Sequence, residues 1–317
     1  MVTIEDLERA RTRLRGIARR TPLIRSYALS RRLAADIFLK PEMLQRTGSF
    51  KLRGAFNKIA SLSPAGRERG VIAASAGNHA QGVAVAAALA GIPAVVVMPE
   101  HAPRAKVAAA RDYGAEVILH GAHYREAHAR ADELRRERDL TMIPGFDDAD
   151  IVAGQGTIGL EIVADLPDPD LVVVPVGGGG LLAGITVALR ARCPAVRIVG
   201  VQAERVAAVA ESLRAGQLVP VPSGETIADG IAVERPGEIP FEIIRGQVDD
   251  VVTVTEEEIG RAIGLLLERT KLLAEGAGAT PLAALLSGKV AAPRQKVVLV
   301  LSGGNIDRDL LARVLAS

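Results

Sequence analysis

The sequence has no tryptophan, a single cysteine (Cys193) and only 3% aromatic residues. One thiol cannot form an internal disulfide, so a reducing, cytoplasmic setting is expected and Cys193 reads as a small helical filler. So few aromatic platforms argue against single-strand nucleic-acid binding. Charge of either sign is not in excess: 39 Lys and Arg against 37 Asp and Glu leave a formal net charge of +2. No global field therefore advertises nucleic acid or anionic lipid as a partner. Long unbroken apolar runs are missing too. The uncharged stretches 82–98 and 171–189 are interrupted, the first by Gly91-Ile92-Pro93 and the second by Gly177-Gly178-Gly179-Gly180. Each divides into a helix and a buried strand instead of a membrane span. The amino terminus carries acidic residues where a signal peptide needs an apolar core, and Thr3-Ile4-Glu5-Asp6 reads as a capped helix start.

What is present describes a globular chain. Of 317 residues, 49% are hydrophobic and 24% charged, with 32 Gly and 17 Pro. That length accommodates about two domains and a core that needs no disulfide or structural metal. Runs rich in Val, Ile and Leu predict strands at 37–40, 71–75, 94–98, 116–120, 171–176, 197–202, 251–254 and 296–301. They are continuously apolar, the mark of strands covered by helices on both faces. Helical patterns lie between them at 78–90, 104–113, 124–138, 181–192 and 256–270. The alternation predicts a parallel, doubly wound α/β architecture. The loop Pro144-Gly145-Phe146-Asp147-Asp148 separates two strand groups, so a ligand belongs in the cleft between two sheets, at the carboxyl ends of their strands. The Pro- and Gly-rich stretch 219–240 is the longest irregular candidate, and a loop of that length is expected to face a ligand.

Chemistry gathers at strand ends. Val174-Pro175-Val176 runs into Gly177-Gly178-Gly179-Gly180 and then Leu181-Leu182-Ala183-Gly184. A strand, a glycine turn and a helix start together make a phosphate cradle. Gly178, Gly180 and Ala183, with Glu204 further on, also fit the dinucleotide pattern, so NAD and other phosphate-bearing ligands are equally eligible. Ser302-Gly303-Gly304-Asn305 and Ser75-Ala76-Gly77-Asn78-His79-Ala80-Gln81-Gly82 are further turns of this kind. Lys51 sits at an expected helix start, where a cation is electrostatically misplaced. A lysine whose pKa is lowered suits Schiff-base chemistry, because only the neutral amine attacks a carbonyl.

Ser49-Phe50-Lys51-Leu52-Arg53-Gly54-Ala55, the Ser75–Gly82 turn, the four glycines and Ser302-Gly303-Gly304-Asn305 stand in the order and spacing of pyridoxal-phosphate enzymes of the tryptophan synthase β fold type. The chain most resembles the threonine dehydratase (threonine ammonia-lyase) and serine racemase family. The likeness extends over nearly its whole length, including Ala153-Gly154-Gln155-Gly156-Thr157, Thr226-Ile227-Ala228-Asp229-Gly230 and Glu275-Gly276-Ala277-Gly278. It implies two doubly wound domains, each a mainly parallel sheet flanked by helices, with the cofactor in the cleft between them. The expected division is a large cofactor-binding domain of residues 1–66 and 145–317 and a small domain of residues 67–144. The implied cofactor is pyridoxal 5'-phosphate, with Lys51 as catalytic residue in Schiff-base linkage to it. Gly177, Gly178, Gly179 and Gly180 would hold its phosphate and Asn78 its ring hydroxyl. Ser302 would meet the pyridine nitrogen near Glu275, Phe50 and Gly303 would be further contacts, and Ala76 and Gly230 would face the ring from opposite sides. Ser75, Ala76, Gly77 and His79 would receive the substrate. A hydroxyl at Ser302 cannot supply a full proton to the ring nitrogen, which favours loss of a β-leaving group over transamination. The implied reaction is β-elimination of L-threonine, and of L-serine, to 2-oxobutanoate or pyruvate plus ammonia.

Departures from relatives narrow the reading. Serine racemases carry a second hydroxyl where this chain has Ala76, so racemisation is expected to be minor. Members with a divalent cation site have carboxylates where Gln202 and Ala208 stand, so no divalent metal is expected, while a monovalent ion could remain. The chain ends twelve residues after Asn305, and the resemblance is to the short, catabolic dehydratases without a regulatory domain. His120, His123 and His128 straddle a strand end, a loop and a helix start and read as a solvated turn. A homodimer or homotetramer acting on a small amino acid is expected, without nucleic acid or membrane. Alternatives are a dehydratase of another β-hydroxy amino acid such as 3-hydroxyaspartate, a serine racemase, or a nicotinamide-binding protein.

Overall fold

The computed structural model describes residues 1–102 and 104–316. Its strands are β1 (Ile24–Arg25), β2 (Asp36–Pro41), β3 (Val71–Ala74), β4 (Ala94–Met98), β5 (Glu116–Leu119), β6 (Thr141–Met142), β7 (Leu171–Pro175), β8 (Arg197–Ala203), β9 (Asp250–Val254) and β10 (Lys296–Leu301). They form a six-stranded sheet of order β1-β2-β10-β7-β8-β9 and a four-stranded sheet of order β5-β4-β3-β6. Every neighbouring pair is parallel except β1 with β2. The eight anticipated strands are all present. β1 and β6, of two residues each, have no counterpart in the sequence reading because a dipeptide carries no periodicity.

Side chains alternate between two buried faces, which is why the strands read as unbroken apolar runs. Val297, Leu299 and Leu301 of β10 join one core while Val298 and Val300 join the other. In the smaller sheet Val71 and Ala73 face one core and Ile72 and Ala74 the opposite one. Burying each such side chain stabilises the fold by about 1.5–3 kcal/mol for the larger residues. Residues 82–98 divide as expected between the Asn78–Ala90 helix and β4, and residues 171–189 between β7 and the Gly180–Arg192 helix. Among the described residues no helix is long and apolar enough to cross a membrane. Thr3 caps the first helix, Ile4–Arg13, with a reciprocal capping box to Asp6.

A helix that the periodicity did not reveal, Ala149–Asp165, ties the two sheets together. Its glycines look like breakers but serve close packing. A Cβ at Gly154 would lie 2.6 Å from Gly54 Cα, and one at Gly184 would lie 2.6 Å from Gly156 N. The helix is therefore wedged, backbone against backbone, between the Lys51–Ser61 helix and the Gly180–Arg192 helix. Gln155 Oε1 accepts the Gly54 N–H at 3.1 Å and the Asn57 amide donates to Asp150 O at 2.7 Å. This fixes the lysine-bearing helix against the helix that begins at the four-glycine turn.

Candidate active site

Parallel strands deliver the site, because their carboxyl ends carry the turns that face the cleft. After β7 come Gly177–Gly180, after β10 Ser302, and after β3 the turn into Asn78. One cavity is lined by Phe50, Lys51, Asn78, Gly177, Gly178, Gly179, Gly180, Gly230, Glu275 and Ser302. Ten of the residues singled out from the sequence thus meet in one place, drawn from both sheets.

The glycine turn has the build of an anion cradle. Gly179 has φ +98° and caps the thirteen-residue Gly180–Arg192 helix, whose N-terminus points its partial positive charge into the cavity. A Cβ at Gly178 would lie 2.4 Å from the Phe146 ring, and one at Gly179 2.8 Å from Pro240. The carbonyls of Gly178 and Gly179 are used, accepting from Gly237 and Ala183. The N–H groups of Gly177, Gly178 and Gly179 find no acceptor among the described residues. Converging unpaired donors at a helix start suit a phosphate, so the residues present fit the group that the sequence implied.

Lys51 is the first residue of its helix, and its Nζ donates to Gly145 O at 2.8 Å, 5.1 Å from the centre of the Phe50 ring. Burial pushes its pKa down to about 8, with Glu275 opposing. The direction agrees with the expectation, and burial is its largest cause. Across the cavity, burial raises Glu275 to about 7, assisted by Asp229 and opposed by the Asn78 hydrogen bond and by Lys106. Asn78 Nδ2 donates to Glu275 Oε1 at 2.7 Å. The Ser302 hydroxyl has no partner among the described residues. The irregular stretch 219–240 does face the cavity, contributing Gly230, Ile231 and Val233.

Five expected site residues do not themselves line this cavity. Ser75, Ala76 and Gly77 form a half-buried turn at the carboxyl end of β3, outside the lining, with the Gly77 N–H donating to Ser75 Oγ at 3.2 Å. His79 is buried, its Nε2 2.8 Å from Ile143 O, and burial together with Lys51 pushes its pKa down to about 3. Its ring is committed to the chain segment beneath Lys51 and does not line the cavity. Gly303 lies behind the wall, bridged to Ser49 and accepting the Glu275 N–H at 3.0 Å. Conversely, Gly145, Phe146 and Gln155 line the cavity without having been given a role. Residues 144–148 read only as a linker, and the glycines around Gln155 masked a helix. Glu204, the ribose ligand of the nicotinamide alternative, is exposed and outside the lining. His120, His123 and His128 are exposed, and no metal-binding cluster of His, Cys, Asp or Glu exists among the described residues.

Comparison with known proteins agrees with this geometry. The family described as "Pyridoxal-phosphate dependent enzyme" matches residues 14–303. L-threonine ammonia-lyase of Geobacter sulfurreducens is 54% identical over 309 residues, covering 98% of this chain and 77% of that protein. The catabolic L-threonine dehydratase of Escherichia coli is 48% identical over 315 residues, covering 99% of this chain and 96% of that one. Among solved structures, the processed form of threonine deaminase isoform 2 from Solanum lycopersicum superposes with a TM-score of 0.94 at 36% identity, covering 99% of this chain and 87% of that chain. With a cavity built of one buried lysine, a glycine cradle and the strand-end turns of two mainly parallel sheets, the chain belongs to the pyridoxal-phosphate dependent enzymes.

Proposed function

We propose that this chain is an L-threonine ammonia-lyase, converting L-threonine to 2-oxobutanoate and ammonia. The observation that carries the reading is a buried primary amine, its pKa lowered to about 8, sharing one cavity with a turn of unpaired backbone N–H groups. The relatives' shared activity supports it over nearly the full chain.

Lys51 would carry pyridoxal phosphate, the N–H groups of Gly177–Gly180 would hold its phosphate, Asn78 its hydroxyl and Ser302 its ring nitrogen, with Gly230 against one ring face. When bound, the cofactor supplies an electron sink for the charge left at the substrate's α-carbon. With the cofactor bound, the Lys51 amine would be the base that takes the α-proton. A pKa near 8 leaves a useful fraction of free amine at neutral pH. Gly145 O, already 2.8 Å from Nζ, holds the amine in the cavity through that step. The Ser75 hydroxyl accepts from Gly77 and keeps its own hydrogen free to meet the substrate carboxylate. The neutral Ser302 hydroxyl favours departure of the β-hydroxyl over transamination. In the overall balance water leaves and is then taken up again, so threonine yields 2-oxobutanoate and ammonium. L-Serine, which lacks only the methyl group, is a second substrate giving pyruvate, since one methyl changes discrimination by about 1–3 kcal/mol. Ala76 has no hydroxyl to return a proton, so racemisation would be minor at best. The acting form is a homodimer or homotetramer. The test is the visible absorption of the cofactor-loaded chain, which Lys51→Ala abolishes; a loaded wild-type chain without that band overturns the assignment of Lys51.

A further inference from the structure

Resting on that reading, we propose that Asn305 is a positioning residue: it fixes which way the Asn78 amide faces, and thereby which charge state of Glu275 the cofactor site accepts. Asn305 follows the glycine turn after β10, and its Nδ2 donates to Thr47 O at 2.8 Å and to Asn78 Oδ1 at 2.7 Å. A backbone carbonyl can only accept, so Thr47 decides that Asn305 presents nitrogen and not oxygen. Both hydrogens of that nitrogen are then spent. Asn78 must meet Asn305 with its oxygen, which leaves its own Nδ2 to donate to Glu275 Oε1 at 2.7 Å. A donor held against a carboxyl favours the ionised form.

The sequence seats Asn305 from both sides. Gly48 has φ +70°, and a Cβ there would lie 2.4 Å from Asn305 Oδ1, so only glycine leaves room for the amide. The Gly304 N–H also donates to Gly48 O at 2.9 Å. Asn305 therefore joins three parts of the site that lie far apart in sequence: the loop leading to Lys51, the Asn78 helix and the end of β10. The charged groups facing Glu275 are Lys51, Asp229 and Lys106. Burial and Asp229 raise Glu275, while the Asn78 side-chain hydrogen bond, Lys106 and the Asn305 backbone N–H, which a substitution of that side chain leaves in place, lower it to about 7. A group poised there is sensitive to one hydrogen bond turning round.

Asn305→Leu, close in shape and uncharged, and Asn305→Asp, whose oxygens can only accept, test this in the cofactor-loaded full chain. Two readouts apply: the pH midpoint of the Glu275 carboxyl band in infrared difference spectra, assigned by its loss in Glu275→Gln, and the cofactor dissociation constant. Asn305→Leu raises the midpoint by about half to one pH unit and the dissociation constant about tenfold. Asn305→Asp turns the Asn78 amide, setting oxygen against Glu275. Adding Glu275→Gln supplies a donor there and returns the dissociation constant to within about threefold of Glu275→Gln alone. A midpoint unmoved in Asn305→Leu, or losses that multiply in the Asn305→Asp, Glu275→Gln double variant, overturns the proposal. If one variant fails to fold, the other decides by its own criterion. A wild-type chain that binds no cofactor or makes no 2-oxobutanoate defeats the functional reading instead, so the two failures are distinct.

Discussion

Arg53→Met probes how the chain holds its lysine from behind. Arg53 is 1% exposed and Glu42 0%, and the guanidinium Nε and Nη2 donate to the two oxygens of Glu42, each at 2.8 Å. Nη1 donates to Glu161 Oε1 at 2.6 Å, and the buried Lys40 closes the ring through Glu161 Oε2 at 2.6 Å. Thr21 Oγ1 donates to Glu42 Oε1 at 2.6 Å. Two cations face two anions, so the buried cluster is neutral. Methionine fills much of the space but leaves Glu42 with the Thr21 hydroxyl as its remaining side-chain donor and only the Lys40 charge nearby. Taking one partner from a buried pair costs about 3–5 kcal/mol. At ~2.1 cal/mol/K of unfolding entropy per residue, a chain of this length loses roughly 5–7 °C in Tm.

The pH dependence has a definite sign. Burial pushes Glu42 up, but Arg53, helped by Thr21 and Lys40, outweighs it and holds the carboxyl below its ordinary range. Its contribution in the wild type is present above the unfolded-state pKa and is lost as pH falls through the folded one. Without Arg53, burial is no longer outweighed and Glu42 takes up a proton in the folded state. The deficit of Arg53→Met therefore shrinks between about pH 8 and about pH 5. Calorimetry of the full chain at both values measures it, and adding Glu42→Gln recovers about half of the loss. A Tm loss under about 2 °C, or a loss equal at both pH values, refutes the reasoning.

Three further outcomes follow from the same geometry. Gly178→Ala places a Cβ 2.4 Å from the Phe146 ring; cofactor affinity measured by titration falls at least about tenfold while the far-ultraviolet spectrum is unchanged. Glu275→Gln removes the carboxylate that supports the Lys51 ammonium against burial, so the midpoint for modification of Lys51 by an amine-selective reagent in the cofactor-free chain moves below 8. Lys106 Nζ meets Asp229 Oδ2 at 3.0 Å, joining the helix before β5 to the segment that carries Gly230. Reversing either charge raises KM for L-threonine a few-fold, about 1 kcal/mol for a pair whose Asp229 lies largely in solvent, and reversing both restores it.

The strands were legible because their two faces are both buried, so Lys296–Leu301 and Leu171–Pro175 could read only as apolar runs. Three of the motifs that build the cavity wall were legible because each occupies a strand end, where backbone is free to meet a ligand. The Ala149–Asp165 helix was not, since Gly154, Gly156 and Gly159 imitate turn signals while serving contacts with other helices that only the fold creates. His79 stands in the expected turn, but its meeting with Ile143 O, 2.8 Å from Nε2 and 64 residues along the chain, could not be read from that turn. Phe146 and Asn305 escaped for a related reason. The Asn305–Asn78 hydrogen bond spans 227 residues of chain, and no local pattern encodes such a meeting.

The most direct measurement of the central claim is product release from L-threonine by the cofactor-loaded chain, with 2-oxobutanoate and ammonia quantified separately. The expected result is the two in equal amounts, sustained over many turnovers, and none from Lys51→Ala. An inert wild-type chain that nonetheless binds pyridoxal phosphate, or a Lys51→Ala variant that still turns over, would contradict it.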